Sequence, residues 1–158
     1  MSTAPITYFD GTAYDFLSNF HRSPFDWTSP WGTPYVMSTV EHAFQAEKCI
    51  DPAEYRQVVH ARSPGQAKTL GRSAQLRSDW EERKFDLMEA LLVLKFQIPR
   101  LRRQLLKTGN ALLIEGNVWH DNIWGDCQCH RCEDVAGANH LGLLLMRVRD
   151  SIREEVGE

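Results

Sequence analysis

Ser38-Thr39-Val40-Glu41-His42-Ala43-Phe44-Gln45-Ala46-Glu47-Lys48 is the stretch on which the reading of this chain turns. Ser38 followed three residues later by Glu41 is a capping-box pattern, and the apolar Val40, Ala43 and Phe44 come directly behind it. The spacing predicts a helix that starts at Ser38 and runs to about Ile50. On that helix Val40, Ala43 and Phe44 share one side, while Glu41, Gln45 and Lys48 share another. One face would hold a core, and the other would offer a carboxylate, an amide and an ammonium. From this stretch alone Glu41 has two readings: it closes the cap, or it does chemistry.

Before this helix, residues 24–37 read as a hairpin that turns through Ser29-Pro30-Trp31-Gly32. Residues 6–9 read as a short strand, and residues 14–20 settle into neither period. After it, Asp51-Pro52 and Ser63-Pro64 are two starts with a capping residue followed by proline. The second opens a helix over 64–72 on which Lys68 and Arg72 share a face. Ser78-Asp79-Trp80-Glu81 is another capping box, and it leads into the longest expected helix, 79–97. Phe85, Met88, Leu91, Leu92 and Phe96 form its core stripe, and Trp80 falls in its first turn. A helix from Pro99 stops at Thr108-Gly109-Asn110. Residues 111–115 read as a buried strand and 116–138 as a polar, aromatic loop. Asn139 caps a last helix striped by Leu141, Leu144, Leu145, Val148 and Ile152. The expectation is an α+β fold: one compact, helix-rich domain over 1–158 with a few short strands.

The 158 residues are enough to bury a sizeable core, and 42% hydrophobic with 25% charged residues is ordinary for a globular chain. A net charge of −3 argues against nucleic-acid binding by bulk charge, while leaving room for a local basic patch. No apolar run reaches membrane-spanning length, and the first residues carry no signal pattern, so a cytoplasmic protein without a membrane partner is expected. Four cysteines in a chain this long do not form a secreted disulfide framework.

No Walker loop, dinucleotide-binding glycine pattern or nucleophile elbow is present. Two carboxylates, Glu41 and Asp121, stand on polar ground flanked by aromatics. Around them in the sequence are the cations Lys48, Lys68 and Arg72 and the amides Asn19, Gln45, Asn122 and Asn139. Carboxylates between aromatic walls suit cleavage of a glycosidic bond, because they activate water or stabilise an oxocarbenium-like centre. The helix start Gly137-Ala138-Asn139 offers backbone N–H groups for a phosphate. Gly142 would either keep that approach open or serve helix packing. Cys127-Gln128-Cys129-His130-Arg131-Cys132 concentrates soft ligands, yet lacks two separated pairs. Four ligands within six residues are hard to arrange tetrahedrally, so an unmetallated loop is the favoured reading. Cys49 reads as a small buried residue.

Taken together, Phe16-Leu17-Ser18-Asn19-Phe20, Pro24-Phe25, Thr39 to Lys48 and Ser63 to Arg72 resemble the NADAR family, also called YbiA-like proteins. The likeness continues through Arg77-Ser78-Asp79-Trp80-Glu81, Leu106 to Gly109, Asp121-Asn122-Ile123-Trp124-Gly125, Asn139-His140-Leu141-Gly142 and Leu145-Met146. The Cys-rich insert at 127–132 is the departure. The resemblance implies an N-glycosidase that needs neither metal nor cofactor. Its implied substrates are ribosylaminopyrimidine phosphates of riboflavin synthesis, or ADP-ribose on guanine bases of DNA or RNA. It implies Glu41, Asp121 and Trp80 as catalytic residues. Asn19, Phe20, Gln45, Lys48, Lys68, Arg72, Trp124, Gly125, Asn139 and Gly142 would bind the substrate. With this pattern around it, Glu41 is read as functional. A nucleotide-binding module without turnover, or a protein-binding patch built on Trp27 and Trp31, are the rival readings.

Overall fold

The computed structural model describes residues 3–157. Asn19–Lys95 forms one compact unit; the chain up to Ser18 and the chain from Phe96 onward form another.

In the Asn19–Lys95 unit, β1 (Phe25–Thr28) and β2 (Pro34–Met37) form the expected hairpin, antiparallel, with Phe25 opposite Met37 and Trp27 opposite Tyr35. The next element is α1, Val40–Ala46, and its start differs from the capping-box expectation. Thr39, not Ser38, is the cap: its hydroxyl accepts from the His42 N–H at 3.1 Å. The Glu41 N–H, which a Ser38 hydroxyl would receive in a capping box, donates instead to the Asn19 carbonyl at 3.1 Å, and the Glu41 carboxylate accepts from Gln45 Nε2. The helix also ends earlier than Ile50. The N–H groups of Lys48 and Cys49 reach back only three residues, to Gln45 and Ala46, and this tightened turn leads Cys49 into a bridge with Leu76.

Every residue of α1 is buried, Glu41 and Gln45 included. The expected division into a core face and an open face therefore fails, because α1 is packed by β2 and by three helices. These are α2 (Pro52–Val59), α3 (Pro64–Ser73) and α4 (Trp80–Lys95). Asp51 and Ser63 cap α2 and α3 as expected, each followed by a proline at the helix start. On α4 the buried side is Leu87, Met88, Leu91 and Leu92; Phe85 is only half-buried, and Phe96 lies beyond the helix end. The Glu47 carboxylate, buried at the end of α1, binds these parts together. Its Oε1 accepts from Trp27 Nε1 at 2.7 Å and from the Tyr55 hydroxyl at 2.8 Å, and Oε2 lies 3.5 Å from Arg83. A single anion thus joins the hairpin, α2 and α4 around the helix that carries Glu41.

In the other unit, the two expected strands at 6–9 and 111–115 shrink to one parallel bridge between Ile6 and Leu113. Past that bridge the Gly116 N–H still reaches the Thr7 carbonyl at 3.0 Å, while the Glu115 N–H, on the other side of the chain, donates to the Asn139 side chain at 3.0 Å. Helices α5 (Pro99–Lys107) and α6 (His140–Val156) pack together, and α6, at 17 residues, is longer than the 16-residue α4. Arg149 on α6 is buried and donates to Thr108 Oγ1 at 2.8 Å and to the Ala111 carbonyl at 3.0 Å, which fixes the chain where α5 ends. Between them run β3 (Gly116–Asn117), β4 (Asp126–Cys127) and a 3-10 turn at His130–Cys132. No helix among the described residues is long and apolar enough to cross a membrane.

Candidate active site

The site is built on α1. Glu41 lies in its first turn, and Gln45, one turn on, donates from Nε2 to Glu41 Oε1 at 2.7 Å. Burial pushes the Glu41 carboxyl above its ordinary value; the Gln45 hydrogen bond and the positive charges of Lys68, Lys48 and Arg72 pull the other way. The same burial holds the Lys48 ammonium below its usual range, opposed by the negative charge of Glu41. Burial thus shifts the carboxylate and the lysine toward each other, each opposed by the charge of the other.

Aromatic rings line these cations. Lys48 Nζ sits 5.4 Å from the Trp80 ring and 5.5 Å from the Phe44 ring, and those two rings meet edge-on at 4.8 Å. Lys68 Nζ lies 5.9 Å from the Phe20 ring. Trp80 is the first residue of α4 and is buried, so its ring belongs to the wall of the site more than to solvent. Asn19 donates through Nδ2 to Met88 Sδ at 3.6 Å. Its Oδ1 and the Oε1 of Gln45 are buried with no hydrogen-bond partner among the described residues. Two unpaired buried acceptors beside a charged site are costly unless a ligand donates to them.

The Asn19–Lys95 unit therefore gathers Glu41, Gln45, Lys48, Lys68 and Arg72 about one carboxylate, with Trp80 and Phe44 around Lys48. It also contains Asn19 and Phe20. The other expected site residues lie in the second unit. Asp121 is half-exposed, and its Oδ1 accepts from the N–H groups of Ile123 (3.1 Å) and Trp124 (2.8 Å). Asn117 grips the backbone of Asp121 through both ends of its amide. Trp124 is half-buried, 6.3 Å from the His140 ring.

The phosphate cradle expected at Gly137-Ala138-Asn139 is already filled. The N–H groups of Gly137 through Leu141 donate to Asp126 Oδ1 and to the carbonyls of Asn122, Gly125, Ile123 and Trp124. Asn139 occupies the cap position with φ 51°, but its side chain makes no cap bond; it spans Leu113 and Glu115 instead. Gly142 is a packing glycine: a Cβ there would run into the Leu113 carbonyl and the Asn139 amide. Gly125 supplies one of the carbonyls that receive this helix start. Of the rival protein-binding patch, Trp27 is tied to Glu47, and Trp31 packs edge-on against Tyr55 at 5.5 Å while remaining exposed.

The sequence pattern of the NADAR domain matches residues 8–153. The chain belongs to the NADAR family. It is 41% identical over 122 residues to an N-glycosidase of Nostoc punctiforme, covering 73% of this chain and 74% of that protein. It is 38% identical over 120 residues to N-glycosidase YbiA of Escherichia coli, covering 74% and 71%. A chloroplastic riboflavin biosynthesis protein of Zea mays is 34% identical over 90% of this chain, which spans only 25% of that protein. The solution structure of Escherichia coli YbiA superposes with a TM-score of 0.80 at 33% identity, covering 100% of this chain and 90% of that one. The helix-rich α+β fold is thus that of YbiA.

Two features of this NADAR site escape a reading of the sequence. Gly71 on α3 has no side chain because a Cβ there would collide with Gln45 Oε1, and that absence lets α3 bring Lys68 and Arg72 toward Glu41. His42 is buried beside Glu41 in α1. Its Nε2 lies 3.0 Å from the Ala61 carbonyl, which only accepts, so Nε2 carries a proton and Nδ1 faces the Thr39 hydroxyl at 2.8 Å. A glycine in a helical pattern and a histidine beside a glutamate carry no local signal of either role.

Proposed function

We propose that this NADAR chain removes ADP-ribose from ADP-ribosylated guanine bases of nucleic acid, with Glu41 as the carboxylate at the centre of the reaction. That the chain is an N-glycosidase follows from its 38–41% identity to named N-glycosidases over most of their length. The observation that carries the assignment to Glu41 is a buried carboxylate attracted by Lys48, Lys68 and Arg72. In the ionised state Glu41 accepts a proton from water as that water adds to the anomeric carbon. The C–N bond breaks as the C–O bond forms, the electron pair leaves with the base, and the base nitrogen takes up a proton. Lys48, Lys68 and Arg72 meet the diphosphate, and Trp80 with Phe44 shapes the wall beside Lys48. A single extruded or single-stranded base needs only a small basic surface, which agrees with a net charge of −3.

Asp121 is the proposed second carboxylate, assisting departure of the base or stabilising positive charge. Residues 1–158 act as one functional domain, a reading supported by a family match that runs over 8–153 and crosses both compact units. A second substrate, a ribosylaminopyrimidine phosphate, is favoured by the likeness to riboflavin biosynthesis proteins of Zea mays and Vibrio vulnificus.

The deciding experiment follows release of ADP-ribose from a DNA oligonucleotide carrying ADP-ribosyl-guanine, with wild type and Glu41→Ala. Release by wild type and its loss in a folded variant is the expected result. A folded wild type that leaves the oligonucleotide intact but cleaves a ribosylaminopyrimidine phosphate moves the assignment to the second substrate. Binding of ADP-ribose without cleavage of either would leave a binding module.

A further inference from the structure

The loop from β3 to α6 contains a cluster that the glycosidase reaction does not use. His120 Nδ1 and the Sγ atoms of Cys127, Cys129 and Cys132 all lie within 4.8 Å of one another. All three cysteines are free thiols. We propose that these four residues bind one zinc ion as a closed structural site.

The ligands come from separate backbone features, which removes the crowding of the six-residue stretch 127–132. Cys127 ends β4, Cys129 precedes the 3-10 turn, and Cys132 closes that turn. The fourth corner is His120, seven residues upstream of Cys127, and not His130, which is exposed outside the cluster. His120 reaches it through a left-handed backbone, φ 73°, a conformation that non-glycine residues adopt at a cost. Its Nδ1 is 3.0 Å from Cys132 Sγ and 3.3 Å from Cys129 Sγ. With Zn–S bonds of about 2.3 Å and Zn–N bonds of about 2.0 Å, a tetrahedron has edges of roughly 3.5–3.8 Å. The observed separations bracket that size, so shifts within side-chain rotamer freedom seat the ion.

The surroundings suit thiolates. Cys127 Sγ receives the N–H groups of His120 (3.3 Å) and Cys129 (3.4 Å), and Cys132 Sγ receives Asn122 Nδ2 at 3.2 Å. Donors aimed at sulfur support a negatively charged ligand and orient it, as outer-shell groups do in metal sites. Three thiolates and an imidazole select zinc over hard cations, and four protein ligands leave no position for a reacting water. The ion would fasten the loop that also carries Asp121: Asn122 bonds Cys132 through its amide nitrogen and the Cys127 N–H through its oxygen at 2.9 Å.

The test is metal analysis of the full chain purified without chelator, followed by replacement with Co(II). Wild type is expected to hold one zinc per chain. Its cobalt form should show tetrahedral d–d bands and thiolate charge-transfer absorption, which Cys129→Ser lowers by about a third. Gly suits the left-handed φ at position 120, so His120→Gly should fold, yet it should bind Co(II) at least about tenfold more weakly. Wild type that holds no zinc and takes up no Co(II) would overturn the proposal. So would a His120→Gly variant with unchanged cobalt affinity and spectrum.

Discussion

Helix α1 and the loop from Asn117 to Asn139 both hold polar side chains in place, by opposite means. Around α1 the backbone satisfies itself, and every side chain is buried against β2, α2, α3 or α4. Its polar groups are therefore held by exclusion of water. In the loop there is little regular backbone, and position comes from side chains that bond to main chain: Asn117 on Asp121, Asp121 on Ile123 and Trp124, Asn122 on Cys127, Asn139 on Leu113 and Glu115. The first arrangement shifts the proton affinity of what it holds; the second fixes geometry while leaving Asp121 half-exposed. Burial is the tool for chemistry, and short polar bonds are the tool for shape.

The largest effect that separates the two regions should come from Glu41→Gln. It keeps volume and hydrogen-bonding capacity but cannot accept a proton, and a fall in kcat of about 10²–10⁴ is expected. A folded Glu41→Gln enzyme with near wild-type turnover would dismiss Glu41 as the base. Asp121→Asn preserves the Oδ1 acceptor that orders Ile123 and Trp124, so it isolates the charge from the loop geometry. If Asp121 assists the reaction, kcat should drop by about tenfold or more with thermal stability unchanged. Full turnover would leave Asp121 with only its loop-building role.

Smaller, and directed at packing, is Gly71→Ala. The added methyl must displace Gln45 or push α3 away, at a cost of about 1–3 kcal/mol, and KM should rise because Lys68 and Arg72 move with α3. Calorimetry with steady-state kinetics reads both; a neutral variant would mean that α3 and Gln45 are not in firm contact.

The smallest effect is on stability against pH. Burial raises Glu41 above its ordinary 4.5, so the folded chain holds that proton more tightly than the unfolded chain. The stabilisation it brings is complete below pH 4.5 and is lost as pH rises through the folded-state value. Glu41→Gln cannot ionise and escapes that loss. Relative to wild type it should be more stable at neutral pH and unchanged at the acid end. Unfolding midpoints at both pH values check this; a wild type that gains on Glu41→Gln as pH rises would show that the three cations outweigh burial.

Much of the architecture was legible in the chain itself. Asp51-Pro52 and Ser63-Pro64 announce α2 and α3 because capping and proline geometry act within three or four residues. The hairpin turn at Ser29 to Gly32 and the stripe of α6 are local in the same way. Glu41, Lys48, Lys68 and Arg72 all stand in the family motifs, and the fold brings the three cations within electrostatic reach of Glu41. Other features depend on partners distant in sequence. The Glu41 N–H goes to the Asn19 carbonyl, so the cap is Thr39 and not the Ser38 that the local pattern offers. Asn139 looks like an ordinary cap until its amide is found on the 113–115 backbone. His120 is invisible as a partner of the cysteines because a left-handed bend, not a spacing, carries it there. Sequence alone determined the hairpin, the run of helices and the inventory of charged groups, since these follow from short-range backbone and side-chain chemistry. Only the tertiary structure decided which groups lose water and which meet, because burial and proximity are set by segments that pack together from far apart in the chain.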